Sequence, residues 1–219
     1  SVNLSFKMYI TSDSRMLVFT HEGPLNPLDL WYIDLDMEES FQLTSELPDS
    51  VDVNSLVTPE ELSYSSFDGL EIPALLFRPV SNQTHKLPPA IIRLHGGPNY
   101  QTFNMWNPRI QLLVNQGYLV FAPEFRGSSG YGKDFEERSI NDWGGGDLQD
   151  VIAAAEWLKT SNIADPDRIA LLGGSYGGYL MLLAMAEAPG LWMAGVDLFG
   201  FVDLKTFHAS TSGWLREWR

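Results

Sequence analysis

Ile169-Ala170-Leu171-Leu172-Gly173-Gly174-Ser175-Tyr176-Gly177-Gly178 carries an apolar run into the pattern G-x-S-x-G, and an apolar stretch continues to Pro189. Ile169–Leu172 suits a short buried strand, and Ser175–Ala188 has the length and composition of a helix. A strand that becomes a helix within so few residues must turn tightly, so small residues must flank the serine. Gly173 and Gly177 meet that need. The turn would push the Ser175 hydroxyl out at the C-terminal edge of a sheet, on a helix N-terminus. The Tyr176 backbone N–H then points towards the oxygen of a tetrahedral intermediate. Ser175 is therefore the candidate nucleophile. The plainer alternative is a glycine-rich turn that serves packing alone.

The flanking sequence alternates in the same way. Ala90–Leu94 is a short apolar run interrupted by Arg93, and residues 109–116 are helix-like and stop at Gly117. Tyr118–Ala122 reads as a buried strand ended by Pro123, and Met193–Leu198 as another. Leu148, Val151, Ile152, Ala155 and Leu158 share one helical face, with Asp147 placed to cap the start. Strands alternating with helices predict an α/β fold with a mainly parallel sheet and helices on both faces.

Two further motifs sit at strand ends. His95-Gly96-Gly97-Pro98 follows Ala90–Leu94 directly. Its glycines expose backbone N–H groups that can serve as oxyanion donors, and the alternative is a strand-ending turn. His95 orients this loop or packs beneath it and is not the catalytic base. Arg126-Gly127-Ser128-Ser129-Gly130-Tyr131-Gly132 follows Tyr118–Ala122. It lacks the Gly-Lys-Ser/Thr ending of a phosphate-binding loop, so it reads as a structural loop on the active-site face. Arg126 either pairs with a carboxylate such as Glu124 or Asp134 or remains solvated.

The N-terminal part has a different texture. Phe6–Ile10, Met16–Thr20, Leu30–Leu35 and Phe41–Leu43 read as short strands, with a loop through Gly23, Pro24 and Pro27. Four strands within residues 1–45 match the size of one propeller blade, and no second copy follows. Residues 46–62, acidic and polar with Pro48 and Pro59, read as a linker. Ser63–Phe67 and Ile72–Phe77 flank Asp68-Gly69, a hairpin signal. Residues 63–219 then form the remaining domain.

Composition excludes several function classes. The net charge of -14 repels phosphate backbones and argues against nucleic acid as a partner. With no cysteine there is no disulfide, thiolate metal site or cysteine nucleophile, which suits a cytoplasmic location. His21, His85, His95 and His208 are scattered without metal-ligand spacing, so neither metal nor cofactor is expected. No apolar stretch is long enough to span a bilayer, so no membrane partner is expected. The chain opens on Ser1 rather than Met, as a cut or processed start would.

Together the elbow Gly173–Gly178, His95–Pro98, Arg126–Gly132, Trp143–Asp147 and Asp165–Arg168 resemble the prolyl oligopeptidase family of serine peptidases. The similarity is greatest to its acylaminoacyl-peptidase and bacterial oligopeptidase branch. The resemblance covers essentially the whole chain, including the blade-like start. It implies an α/β-hydrolase domain preceded by the last blade of a propeller that admits short peptides. Ser175 would be acylated, with Tyr176 N–H and Gly97 N–H forming the oxyanion hole and His95, Gly96 and Arg126 as supporting loop residues. Some members carry a tyrosine hydroxyl where this chain has His95, and the histidine favours backbone donors. In the family the triad acid and histidine follow the nucleophile on later strands. Asp203 and His208, five residues apart, are not expected to be that pair. The chain therefore reads as truncated at both ends, with the C-terminal strands missing, and as inactive and poorly folded by itself. A homo-oligomeric parent is left open. A carboxylesterase or lipase of the same fold, or a non-catalytic binding protein, are the competing functions. A simple esterase would have no propeller.

Overall fold

The computed structural model describes residues 3–80 and 86–211, with side chains from residue 8 onwards in the first strand. His85, Ser1 and Arg219 lie outside the described residues. Two sheets make up the framework. The first is an antiparallel meander of four strands in chain order, β1 (Asn3–Ile10), β2 (Met16–Gly23), β3 (Asn26–Asp34) and β4 (Glu39–Gln42). The expected loop through Pro27 is instead the start of β3. Gly23 pairs with Asn26 across a tight turn, and the register shifts between His21 and Gly23. Proline, which has no N–H for the ladder, is tolerated at such an irregularity.

The second sheet has six strands: β5 (Glu60–Ser65), β6 (Glu71–Phe77), β7 (Ala90–Leu94), β8 (Leu119–Pro123), β9 (Ile169–Gly174) and β10 (Ala194–Leu198). Their order in space is β10-β9-β7-β8-β6-β5. Strands β8, β7, β9 and β10 run parallel, whereas β6 is antiparallel to both β8 and β5. The sheet is thus mixed. The Asp68-Gly69 turn (Gly69 φ 82) forms the hairpin that supplies its antiparallel edge. Strand β5 begins at Glu60, inside the stretch read as linker, where a 3-10 turn also occupies Val53–Ser55.

Period-two alternation divides the core between the two faces. Leu75, Phe77, Val120 and Ala122 pack with Ile110 and Val114 of helix α1 (Pro108–Asn115). On the opposite face Ala74, Leu76, Leu119, Phe121, Ile92 and Leu94 pack against helices α3 (Gly146–Thr160) and α4 (Tyr176–Glu187). A short helix α2 (Lys133–Glu136) precedes α3, and α5 (Leu204–Ser210) follows β10. Helices therefore cover both faces. The N-cap of α3 is Gly145, not Asp147. Asp147 is the second residue of the helix, in its first turn, and is used elsewhere, as described below. The meander meets the second sheet through Gln111 of α1, whose Nε2 donates to Pro24 O at 3.2 Å and to Val57 O at 2.8 Å.

Candidate active site

Strands β7 and β9 are parallel neighbours, but the sheet continues through β8 on one side and β10 on the other. The loops leaving their C-terminal ends diverge there and open a crevice, the place where α/β sheets bind ligands. His95–Pro98 leaves β7 into this crevice and Ser175 leaves β9.

Ser175 has φ 54 and ψ -119. A non-glycine residue held in that region stores roughly 1–3 kcal/mol, so its surroundings must enforce it. Its N–H donates to Leu198 O at 3.1 Å, and its carbonyl accepts from Tyr179 N at 3.0 Å. A Cβ on Gly173 would run into Gly177 O, and one on Gly177 into Leu94 O. Both glycines are thus required by the close approach of α4 to β9 and β7. Ser175 itself is exposed at the head of α4. Gly96 lies against it: a Cβ built there would stand 3.5 Å from Ser175 Cβ and 3.9 Å from Oγ.

His95 is buried beneath this loop, with its ring stacked on Phe125 at 4.2 Å. Its Nε2 lies 2.8 Å from Ser128 Oγ, and its Nδ1 lies 2.7 Å from Gly96 O. Burial lowers its pKa to about 4, so the ring is neutral at pH 7. With the Gly96 carbonyl turned to the imidazole, the Gly97 N–H of the same trans peptide points the opposite way. Glu124 sits behind His95, fully buried. One oxygen accepts from Thr102 N at 2.8 Å; the other has no hydrogen bond and is 3.6 Å from His95 Nε2. Burial raises the Glu124 pKa to about 7.

The Tyr176 side chain anchors the elbow from below. Its hydroxyl donates to Asp147, which also accepts from Gly144 N at 2.9 Å and Leu148 N at 2.8 Å. Burial raises the Asp147 pKa to about 6, and burial together with the Asp147 charge pushes the Tyr176 hydroxyl well above its ordinary value. Tyr176 and Asp147 each fall in a quoted motif, yet nothing in their spacing pairs them.

Arg126 pairs with neither Glu124 nor Asp134. Its Nε and Nη2 grip Asp150 at 2.9 and 2.8 Å, and Nη1 and Nη2 grip Asp68 at 3.0 Å each. The two acids flank it because α3 and the Asp68-Gly69 turn both pack beside the end of β8. Arg126 also lies over the Phe67 ring at 4.8 Å. It ties the loop to the scaffold. Asp203 is the N-cap of α5, accepting from Lys205 N and Thr206 N at 3.0 Å, and His208 lies in the last turn of that helix. Among the described residues no cluster of three or more His, Cys, Asp or Glu could hold a metal, and no helix is long and apolar enough to cross a membrane.

A cavity of about 700 Å³ opens beside Ser175 and Gly96. Tyr100, Trp106, Leu112, Leu113, Leu198 and Phe199 are among its apolar lining, and Arg93 and Arg109 also line it.

A strand–serine–helix elbow at the switch point of a mixed sheet, with a glycine loop laid against it, defines an α/β-hydrolase. The pattern of the prolyl oligopeptidase family matches residues 103–219, more than half of the chain, and the chain belongs to that family. It is 34% identical over 180 residues to the uncharacterized peptidase YuxL of Bacillus subtilis, covering 80% of this chain and 27% of the relative. It is 36% identical over 124 residues to dipeptidyl aminopeptidase BIII of Pseudoxanthomonas mexicana, covering 54% of this chain and 17% of the relative. A Mycobacterium tuberculosis puromycin-hydrolyzing peptidase superposes with TM-score 0.86 at 29% identity, over 93% of this chain and 32% of that one. Pyrococcus horikoshii acylaminoacyl peptidase superposes with TM-score 0.78 at 27% identity, over 98% and 34%. The chain thus spans about a third or less of the length of these relatives.

Proposed function

We propose that the whole protein is a serine peptidase that hydrolyses short peptides, with Ser175 as its nucleophile. The observation that carries this reading is the conformation of Ser175: exposed, at φ 54, heading α4 with Gly96 against it. Strain at a residue that packing alone does not need is expected of a reacting group. Ser175 Oγ attacks the scissile carbonyl while a histidine takes its proton. The tetrahedral oxyanion accepts hydrogen bonds from Tyr176 N–H and Gly97 N–H, and the leaving amine departs with the proton. His95 is not that base, since its ring is buried and engaged with Ser128 and Gly96. The base and its acid partner are assigned to the part of the whole protein outside the described residues. His95, Gly96 and Arg126 shape the loops.

Residues 1–45 are read as a propeller blade, 46–62 as a linker whose last three residues already form the start of β5, and 63–219 as part of the catalytic domain. Support comes from the meander of four strands and from relatives named as dipeptidyl and acylaminoacyl peptidases. The absence of cysteine favours a reducing, cytoplasmic setting. The test is fluorophosphonate labelling of the whole protein, with hydrolysis of aminoacyl chromogenic substrates and acyl esters in parallel. Labelling at Ser175 and cleavage of the aminoacyl substrates are expected, both abolished by Ser175→Ala. Labelling that survives Ser175→Ala would refute the assignment, and turnover confined to esters would favour an esterase.

A further inference from the structure

Arg93 is a charged residue on an interior strand, where an apolar side chain would be expected. It is the fourth residue of β7, on the same face as Ile91, and its side chain reaches the C-terminal edge beside α1. The guanidinium is half-buried in the wall of the Ser175 cavity and of a smaller neighbouring pocket that also holds Glu22. Among the described residues no carboxylate lies within ion-pair distance of it, and its side-chain hydrogen bond is a long one to Thr102 Oγ1 at 3.5 Å. Glu124 is near enough to be felt electrostatically, but one oxygen accepts from Thr102 N and the other, which makes no hydrogen bond, is not within ion-pair distance of the guanidinium. Arg126, by contrast, is saturated by two carboxylates. Burying a guanidinium without a contact ion pair is costly, so one compensated only at a distance, beside the proposed nucleophile, is arranged to receive an anion.

Two further features give this end of the cavity the same sign. Arg109 faces it, exposed, and so does the N-terminus of α1, capped by Asn107. A helix N-terminus favours negative charge. This cationic wall belongs to a chain whose net charge is -14.

We propose that Arg93, backed by Arg109, forms a subsite for a carboxylate of the bound peptide. The inference rests on the reading of Ser175 as a peptidase nucleophile, and it names the substrate class: peptides with an acidic group close to the scissile bond. Arg93 pairs in register with Leu172, three residues before Ser175. Three residues correspond to about 10 Å along the strand direction, the reach of one or two extended peptide residues and a side chain. An Asp or Glu side chain and a free C-terminal carboxylate both supply the required chemistry.

The test measures binding in the whole protein carrying Ser175→Ala, so that turnover does not intervene. Fluorescent pentapeptides are compared in two arms: Glu against Gln beside the central bond, and a free C-terminal carboxylate against its amide. A charge-assisted hydrogen bond to a partly buried guanidinium predicts at least about tenfold tighter binding of the acidic member in one arm. The arm that shows it identifies the source of the carboxylate. Adding Arg93→Gln should bring that ratio to about one, Arg93→Lys should retain part of it, and raising salt should shrink it. Equal binding of acidic and neutral peptides in both arms overturns the proposal. So does an Arg93→Gln protein that still discriminates, or one that weakens both members of a pair equally. Hydrolysis of the same peptides by the protein with Ser175 intact is read separately. A preserved Arg93-dependent preference without turnover would sink the peptidase reading and leave the subsite standing.

Discussion

Two residues of the site are held in states they would not adopt alone. Ser175 at φ 54 is the first. Glycine populates positive φ freely, whereas alanine does not. The Ser175→Gly protein should therefore unfold at a higher denaturant midpoint than Ser175→Ala, by about 1 kcal/mol, although both lack the hydroxyl. An equal or lower midpoint would show that the elbow carries no such strain. Glu124 is the second. Burial raises its pKa from 4.5 to about 7. As pH rises the unfolded chain releases this proton first, so the Glu124 contribution to stability falls between pH 4.5 and 7 and stays lost above 7. His95 works in the opposite sense, because its pKa falls from 6.5 to about 4 and its contribution rises with pH across that range. Glu124→Gln removes only the falling limb. The variant should gain stability relative to the parent as pH rises from 4.5, reaching about 3 kcal/mol near pH 8. Denaturant titrations at several pH values check this, and a pH-independent difference would contradict it.

At the scale of elements, the β5–β6 hairpin, the loop after β8 and helix α3 meet at one buried carboxylate. Asp150, on α3, is fully buried. It accepts from Ser66 Oγ at 2.6 Å, from Arg126 N at 2.8 Å, and from two nitrogens of the Arg126 guanidinium. Removing one partner of a buried ion pair leaves the other charge uncompensated. Asp68 still pairs with the guanidinium, so Asp150→Asn should cost about 3 kcal/mol, the low end for a broken buried pair, and loosen the loop that carries Ser128, the partner of His95. Asp68 grips the same guanidinium from an exposed turn, where water replaces it easily, so Asp68→Asn should be much milder. Equal losses in the two variants, measured by denaturant unfolding, would argue against this division of roles.

At the scale of the molecule, the two ends of the six-stranded sheet are finished differently. The β5 end is a hairpin strand with polar residues such as Glu60, Glu61 and Ser63. Among the described residues no strand pairs with the outer edge of β10, which is flanked by Met193, Val196, Phe199 and Val202, between 52% and 82% exposed. Unpaired strand edges with apolar neighbours recruit other chains. Residues 1–219 on their own should therefore associate as concentration rises, and Val196→Lys should suppress this. Sedimentation velocity across a concentration series measures it; a concentration-independent monomer would contradict the expectation.

Local signals in the sequence determined the elbow, the parallel strands β7 to β10 with their helices, and the Asp68-Gly69 hairpin. Each depends on neighbours in the chain: a tight turn needs Gly173 and Gly177, buried strands need continuous apolar runs, and a type of turn needs its glycine. Pro27 was misleading, because it lies in a strand at an irregular register that only β2 reveals. Tertiary structure alone decided the partners of charged and polar groups. Asp147 serves Tyr176 rather than a helix cap, Arg126 finds Asp150 and Asp68 rather than its sequence neighbours, and Glu124 ends buried behind His95. These pairings span 24 to 58 residues where Arg126 is concerned. They form because stacking the loops at one end of the sheet removes water from several charged groups at once. Each group must then find its counter-charge in whatever element the topology brings alongside, and no spacing in the chain encodes that element.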